Sequence, residues 1–233
     1  MDNITIIPGS YKPPHKGHLS LVEKLIKKQK NKKIIIIITN KSRALDERFL
    51  YMEGNPKIEL QTALIEYFPN EEGEILLLTK EKIIKKIKDL IDNKILQSIN
   101  SFQSYSVWNI YKKYLVNKYE NTLIKLPELV FRIAETNSMI KETFKVVTEA
   151  FKEKPKKVIL MKSAKNANNK RFNIFEKSFK KYVKTVLFPN VKDIDATGMR
   201  MSILNQDKTK FFKYLPKDLL EKDKNKIWKI CNY

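Results

Sequence analysis

Five short apolar runs recur along this chain, at residues 4–7, 33–39, 74–79, 157–161 and 183–188, and between them lie stretches with apolar residues at helical spacing. A strand that is apolar throughout must be buried on both faces, and its alternation with amphipathic helices predicts a parallel sheet wrapped by helices. The expected fold class is therefore α/β, a Rossmann-like parallel five-stranded sheet flanked by helices. A helix over residues 17–29 would set Leu19, Val22, Leu25 and Ile26 on one face. Asn55-Pro56 reads as a helix start, with Asn as N-cap and Pro in the first turn. Residues 138–151 predict another helix, ending ahead of Pro155, and a further one passes through Arg171, Phe172, Phe175 and Phe179.

From about residue 80 to 135 the strand signal lapses. Ile83, Ile84, Ile87, Leu90, Ile91 and Ile95 fall at helical spacing, followed by Phe102, Tyr105, Trp108, Tyr111, Tyr114 and Tyr119. This reads as a helical insertion whose aromatic stripe is a packing face. The expected organisation is one Rossmann-like domain over residues 1–210 with the insertion at 80–135, and a helical tail over 211–233 packed on it. A chain of 233 residues can bury a full core. Its apolar runs fall well short of the roughly 20 residues that span a bilayer. No basic region leads into a long apolar stretch at the N-terminus, and Cys231 is the single cysteine. A cytoplasmic, reducing setting is expected.

The formal net charge is +21, a field that attracts polyanions of every kind. Five of the 47 basic residues are arginines and the rest lysines. A surface that reads bases or clamps phosphates in forked geometry uses arginine more heavily. The charge is read first as solvated lysine faces, with a nucleic-acid surface as the secondary reading. Self-association is left open.

Scarce residue types gather in two places. Both histidines fall in Gly9-Ser10-Tyr11-Lys12-Pro13-Pro14-His15-Lys16-Gly17-His18, directly after the first apolar run. Gly9 permits a sharp turn and close approach, the prolines stiffen it, and the amides left over could face an anion at a helix N-terminus. Imidazoles add donors of their own. The second place is Ile194-Asp195-Ala196-Thr197-Gly198-Met199-Arg200, and the two stretches together hold three of the five glycines, both histidines and one of the five arginines.

The first stretch resembles the HxGH signature of the nucleotidyltransferase superfamily, with His15, Gly17 and His18 matching position for position. The second is similar to that superfamily's ISxTxxR motif through Ile194, Thr197 and Arg200, and the Phe211, Phe212, Leu215 and Pro216 that follow also look like the family. Membership implies a reaction in which an acceptor phosphate oxygen attacks the α-phosphorus of a nucleoside triphosphate and pyrophosphate leaves. By resemblance His15 and His18 act on the triphosphate together with Lys12 and Arg200. Gly9, Ser10, Tyr11, Gly17, Thr197, Gly198, Lys162 and Lys165 would surround the nucleotide, with Thr197 expected as N-cap of its helix. Lys41, Ser42 and Arg43 are candidates for the acceptor's anionic group.

Lys12 stands where many relatives have Asp or Asn, Asp195-Ala196 replaces two small polar residues, and Asn166 replaces an acid. Magnesium is expected on the triphosphate oxygens, because no carboxylate cluster suggests a protein-built metal site. The first stretch looks more like adenylyltransferases of the nicotinamide-mononucleotide type than like cytidylyltransferases of phosphoalcohols. A CTP-using enzyme is the runner-up. An inactive nucleotidyltransferase fold that binds nucleic acid is the reading from another class.

Overall fold

The computed structural model describes residues 3–46, 49, 56–93, 95–163, 173–179, 182–188, 194 and 196–232. Strand β1 (Asn3–Gly9) leads through the histidine turn into helix α1 (Lys16–Lys27), and β2 (Asn31–Ile38) follows. A short strand β3 (Arg43–Ala44) precedes the helices α2 (Pro56–Tyr67), α3 (Glu72–Leu76) and α4 (Lys80–Asp92), and β4 (Ser98–Ile99) returns to pair with β3. Then come α5 (Ser101–Tyr119), β5 (Glu128–Ile133), α6 (Met139–Lys152) and β6 (Lys157–Ser163). The remaining elements are α7 (Asn173–Phe179), β7 (Val183–Phe188), α8 (Ala196–Leu204), α9 (Lys208–Phe212) and α10 (Glu221–Cys231).

Among the described residues the main sheet has five parallel strands in the order β5-β2-β1-β6-β7, which is the α/β architecture expected. Successive side chains of a strand point to opposite faces, and the isoleucine run of β2 uses both. Ile34, Ile36 and Ile38 enter a core with Leu19, Val22 and Ile26 of α1, Trp108 and Tyr111 of α5, and Phe211 and Ile227 near the end of the chain. Ile35 and Ile37 enter the opposite core with Val146 and Val147 of α6 and Phe175 of α7. Full burial of one such side chain contributes roughly 1.5–3 kcal/mol, so the uninterrupted runs hold the sheet from both sides. Strand order reverses about β1, with β2 on one side and β6 on the other. The crevice beyond the carboxyl ends at such a switch point is where open α/β sheets take ligands.

Two expectations about elements are corrected. Residues 74–79 are not a strand: Ile75 is buried inside helix α3, while Leu76 and Leu77 are 51% and 84% exposed and Thr79 caps α4. An apolar run of four is consumed by a helix end and a turn, with its first member in a core and its last, Leu78, packed against that core. The stretch 80–135 is not helical throughout, for β5 lies inside it and pairs in register with β2 from Lys33–Glu128 to Ile38–Ile133. Helices α2, α3 and α4 form their own small core of Leu60, Leu64, Ile75, Ile83, Ile87 and Leu90. Helix α5 instead packs on the sheet through Val107, Trp108, Tyr111 and Leu115, as the aromatic stripe predicts. Asn55, Lys165, Asn166, Arg171, Phe172 and Asp195 lie outside the described residues. No helix among the described residues is long and apolar enough to cross a membrane.

Candidate active site

The chain leaves β1 at Gly9 and folds back on itself at once. Tyr11 has φ 53, in the left-handed region, and its ring lies against Gly9 with the hydroxyl donating to the Ile7 carbonyl at 3.0 Å. A Cβ at Gly9 would sit 2.6 Å from Tyr11 Cζ. Gly9 therefore makes room for a side chain of its own turn. Left-handed backbone at a residue other than glycine costs of order 1–3 kcal/mol and is held only where the surroundings over-determine it. Here they do: Tyr11 is buried, edge-on to His18 at 4.9 Å and to Trp108 at 5.6 Å.

His15 caps α1. Its Nδ1 accepts the Gly17 N–H at 3.1 Å, and His18 Nδ1 accepts the His15 N–H at 3.2 Å, a reciprocal capping box built from imidazoles. The rings stack with centroids 3.7 Å apart. A Cβ at Gly17 would lie 3.0 Å from His15 Nδ1 and Cε1, so glycine between the two histidines lets the cap close. With both Nδ1 atoms accepting, each neutral ring carries its proton on Nε2. Burial, and then the neighbouring His15, hold the His18 pKa well below the ordinary histidine value, so this ring stays neutral and keeps an Nε2–H to donate.

The expectation of open amides at the start of α1 is corrected by the same geometry. The Lys16 N–H donates to the Tyr214 carbonyl at 2.8 Å, the Gly17 N–H to His15, and the His18 N–H to the His15 carbonyl at 2.9 Å. The backbone at the start of α1 is spoken for. What it offers an anion is side-chain donors.

Arg200, only 4% exposed, joins the second stretch to the first. Its Nη1 donates to the Lys12 carbonyl at 3.0 Å and its Nη2 to Thr197 Oγ1 at 2.9 Å. Ile194 Cγ2 is 3.5 Å from where a Gly17 Cβ would be. Residues nearly at opposite ends of the sequence thus share one corner. Thr197 is not the N-cap, since α8 begins one residue earlier at Ala196, and its hydroxyl serves Arg200 from within the first turn beside the half-buried Gly198.

Lys12 is buried at 1% exposure and donates from Nζ to the Thr39 carbonyl at 2.8 Å, just past the end of β2. Burial and the nearby Arg43 guanidinium pull its pKa down to about 7. Arg43 thereby falls beside the turn, while Lys41 and Ser42 are exposed on the loop between β2 and β3. Lys162 is half-buried near the carboxyl end of β6. Among the described residues the buried Ser10 Oγ has no hydrogen-bond partner, and neither has Asn40 Oδ1. Both follow the carboxyl ends of the central strands, where an incoming polar group would satisfy them.

Sequence reasoning missed the supports of this turn. Tyr111 of α5, fully buried, donates its hydroxyl to the Pro14 carbonyl at 3.3 Å, and Trp108 stacks on Phe131 of β5 while meeting Tyr11 edge-on. Their spacing marks a packing face and gives no hint of which turn it packs against. The Tyr214 carbonyl is a backbone group with no side-chain signal at all.

Residues 6–55, which include most of β1, the turn, α1 and β2, match the family model described as cytidylyltransferase-like. In this segment the chain is similar to the nucleotidyltransferase superfamily. No curated protein matches the chain. The family suggests a nucleotidyltransferase acting on a nucleotide substrate.

Proposed function

We propose that the protein transfers a nucleoside monophosphate, AMP from ATP by preference, to a phosphorylated small molecule such as nicotinamide mononucleotide. An oxygen of the acceptor phosphate attacks the α-phosphorus, a P–O–P bond forms, and the bond from the α-phosphorus to the bridging oxygen breaks. Pyrophosphate leaves with that electron pair. The observation that carries this reading is the Arg200–Lys12 hydrogen bond, which brings the threonine and arginine of one stretch against the histidine turn of the other.

Such a reaction asks the protein to hold two anions in line and to neutralise charge on the bridging and leaving oxygens. His15 and His18 donate from Nε2 to the triphosphate. Arg200 and Thr197 hold the distal phosphates, Lys12 adds a cation, and Ser10, Gly198 and Lys162 border the nucleotide. Lys41, Ser42 and Arg43 face the acceptor's anionic group. Magnesium accompanies the triphosphate on phosphate oxygens. The turn itself does not suit a protein-held ion, because both Nδ1 atoms are occupied by backbone donors and the neighbours are lysine and arginine.

The family description, cytidylyltransferase-like, favours a second reading in which CTP is the donor. Pyrophosphate release measured with ATP and CTP against a panel of phosphorylated acceptors tests both. Turnover with ATP supports the first reading and turnover with CTP alone the second. No release in any mixture, with steeply salt-dependent nucleic-acid binding, overturns both.

A further inference from the structure

We propose that Lys12 stands in the free protein as an uncharged amine and becomes an ammonium when a polyphosphate binds the histidine turn, so that binding draws a proton from solution. The inference rests on the anion-binding reading of the turn and adds to it a coupling between occupancy and protonation.

The geometry carries it. Lys12 Nζ has one hydrogen-bond partner among the described residues, the Thr39 carbonyl. An ammonium has three donors and needs them matched when buried, whereas an amine satisfies that carbonyl with one N–H and leaves a lone pair. Among the described residues the groups near it are positive or neutral. Arg43 approaches from β3, Arg200 from α8 sits on the Lys12 carbonyl, and His15 and His18 lie on the same turn and the start of α1. Lys41 is exposed on the β2–β3 loop, and burial keeps the adjacent Tyr11 phenol protonated. No carboxylate pairs with Lys12 among the described residues.

Lys33 differs, since the hydrogen bonds it donates to the Glu153 and Glu128 carboxylates raise its pKa. Lys12 has no such partner until one arrives. An incoming triphosphate reverses the sign of the local potential and supplies acceptor oxygens, so the charged form becomes the favoured one. The lowered pKa of the free group, about 7, agrees with this. Arg200 remains charged throughout because guanidinium does not deprotonate, which leaves the lysine as the adjustable member of the pair.

Isothermal titration calorimetry of ATP and CTP into the full chain, without acceptor, tests the coupling. At about pH 8 the triphosphate is fully ionised and an ordinary histidine is neutral, so neither masks the effect. Repeating the titration in buffers of different ionisation heat counts the protons exchanged. Wild type is expected to take up close to one proton per site, following the linkage between a raised bound-state pKa and proton number. Lys12→Arg, permanently charged, should bind with no uptake, and Lys12→Met should bind more weakly with no uptake. Binding by wild type without proton uptake overturns the inference and leaves the proposed function standing. Equal uptake in wild type and Lys12→Arg also overturns it, by moving the proton to another group. Failure of wild type to bind ATP, CTP or inorganic tripolyphosphate overturns the anion-site reading itself. The wild-type affinity measured from about pH 7 to 9, expected to weaken as pH rises, tests the coupling without any variant.

Discussion

In the histidine turn several polar groups are held by partners from distant parts of the chain: Lys16 by Tyr214, Pro14 by Tyr111, Lys12 by Thr39 and Arg200. In the helical insert between β3 and β4, formed by α2, α3 and α4, the holding is local, with Gln61 donating to the Ile75 and Leu76 carbonyls and Lys86 of α4 paired with Glu71 just ahead of α3. The turn follows β1 and is tied to Thr39 just past β2, and α2 to α4 come after β2 in the chain, yet one is fastened by distant parts of the fold and the other by itself. A disturbance in the turn therefore reaches the site directly. One in the insertion is absorbed where it occurs.

Substitutions can break or sharpen that contrast. His18→Ala should lower pyrophosphate release by roughly 10²–10³-fold, as loss of a donor to developing charge does elsewhere, while circular dichroism shows the fold retained. A near-normal rate would remove the turn from the chemistry. Arg200→Lys keeps a charge and loses the fork that serves the Lys12 carbonyl and Thr197 at once. A fall of about tenfold or more in kcat/KM is expected, with a lower Tm, since hydrogen bonds from a charged group are worth about 1.5–3 kcal/mol each.

The third test uses pH. The folded protein binds the Lys12 proton less tightly than the unfolded chain does, so stability should rise as pH climbs from about 7 toward the ordinary lysine value of 10.5. Thermal melts across that window should show the rise in wild type and its reduction in Lys12→Met. Tyr111→Phe removes one hydroxyl bond to Pro14 and should cost about 0.5–1.5 kcal/mol in chemical denaturation, with a modest rise in KM. At the small end, Lys86→Ala in the insertion breaks a partly exposed ion pair and should change stability by less than about 1 kcal/mol with no change in rate. A large rate effect there would show that the insertion is not self-contained.

Much of the sheet can be read in advance because isoleucine-rich runs between turn residues have few other uses. Strands β1, β2, β6 and β7 and helices α1 and α6 fall close to their expected places. The two failures share a cause. Residues 75–78 have the composition of a buried strand, but in α3 only Ile75 and not Leu76 or Leu77 meets a core. Conversely β5 follows a long aromatic helix and reads as its continuation, although Pro127 just ahead of Leu129-Val130-Phe131 is a usable boundary. At the site, the meeting of the two stretches across the chain was legible through their resemblance to the two motifs of one superfamily. The closing of the α1 amides was not, because it depends on a histidine ring used as a cap and on a carbonyl from Tyr214.

That last carbonyl sets an order of events during synthesis. A nascent chain can assemble β1, α1 and β2 early, since they are neighbours in sequence, but it has no mate for the Lys16 amide until residue 214 has been made, nor for the Lys12 carbonyl until residue 200 has. The ribosome therefore releases a scaffold first and a competent turn only later, and a shortened product ending before those residues would keep its histidines while lacking the clasp that holds them.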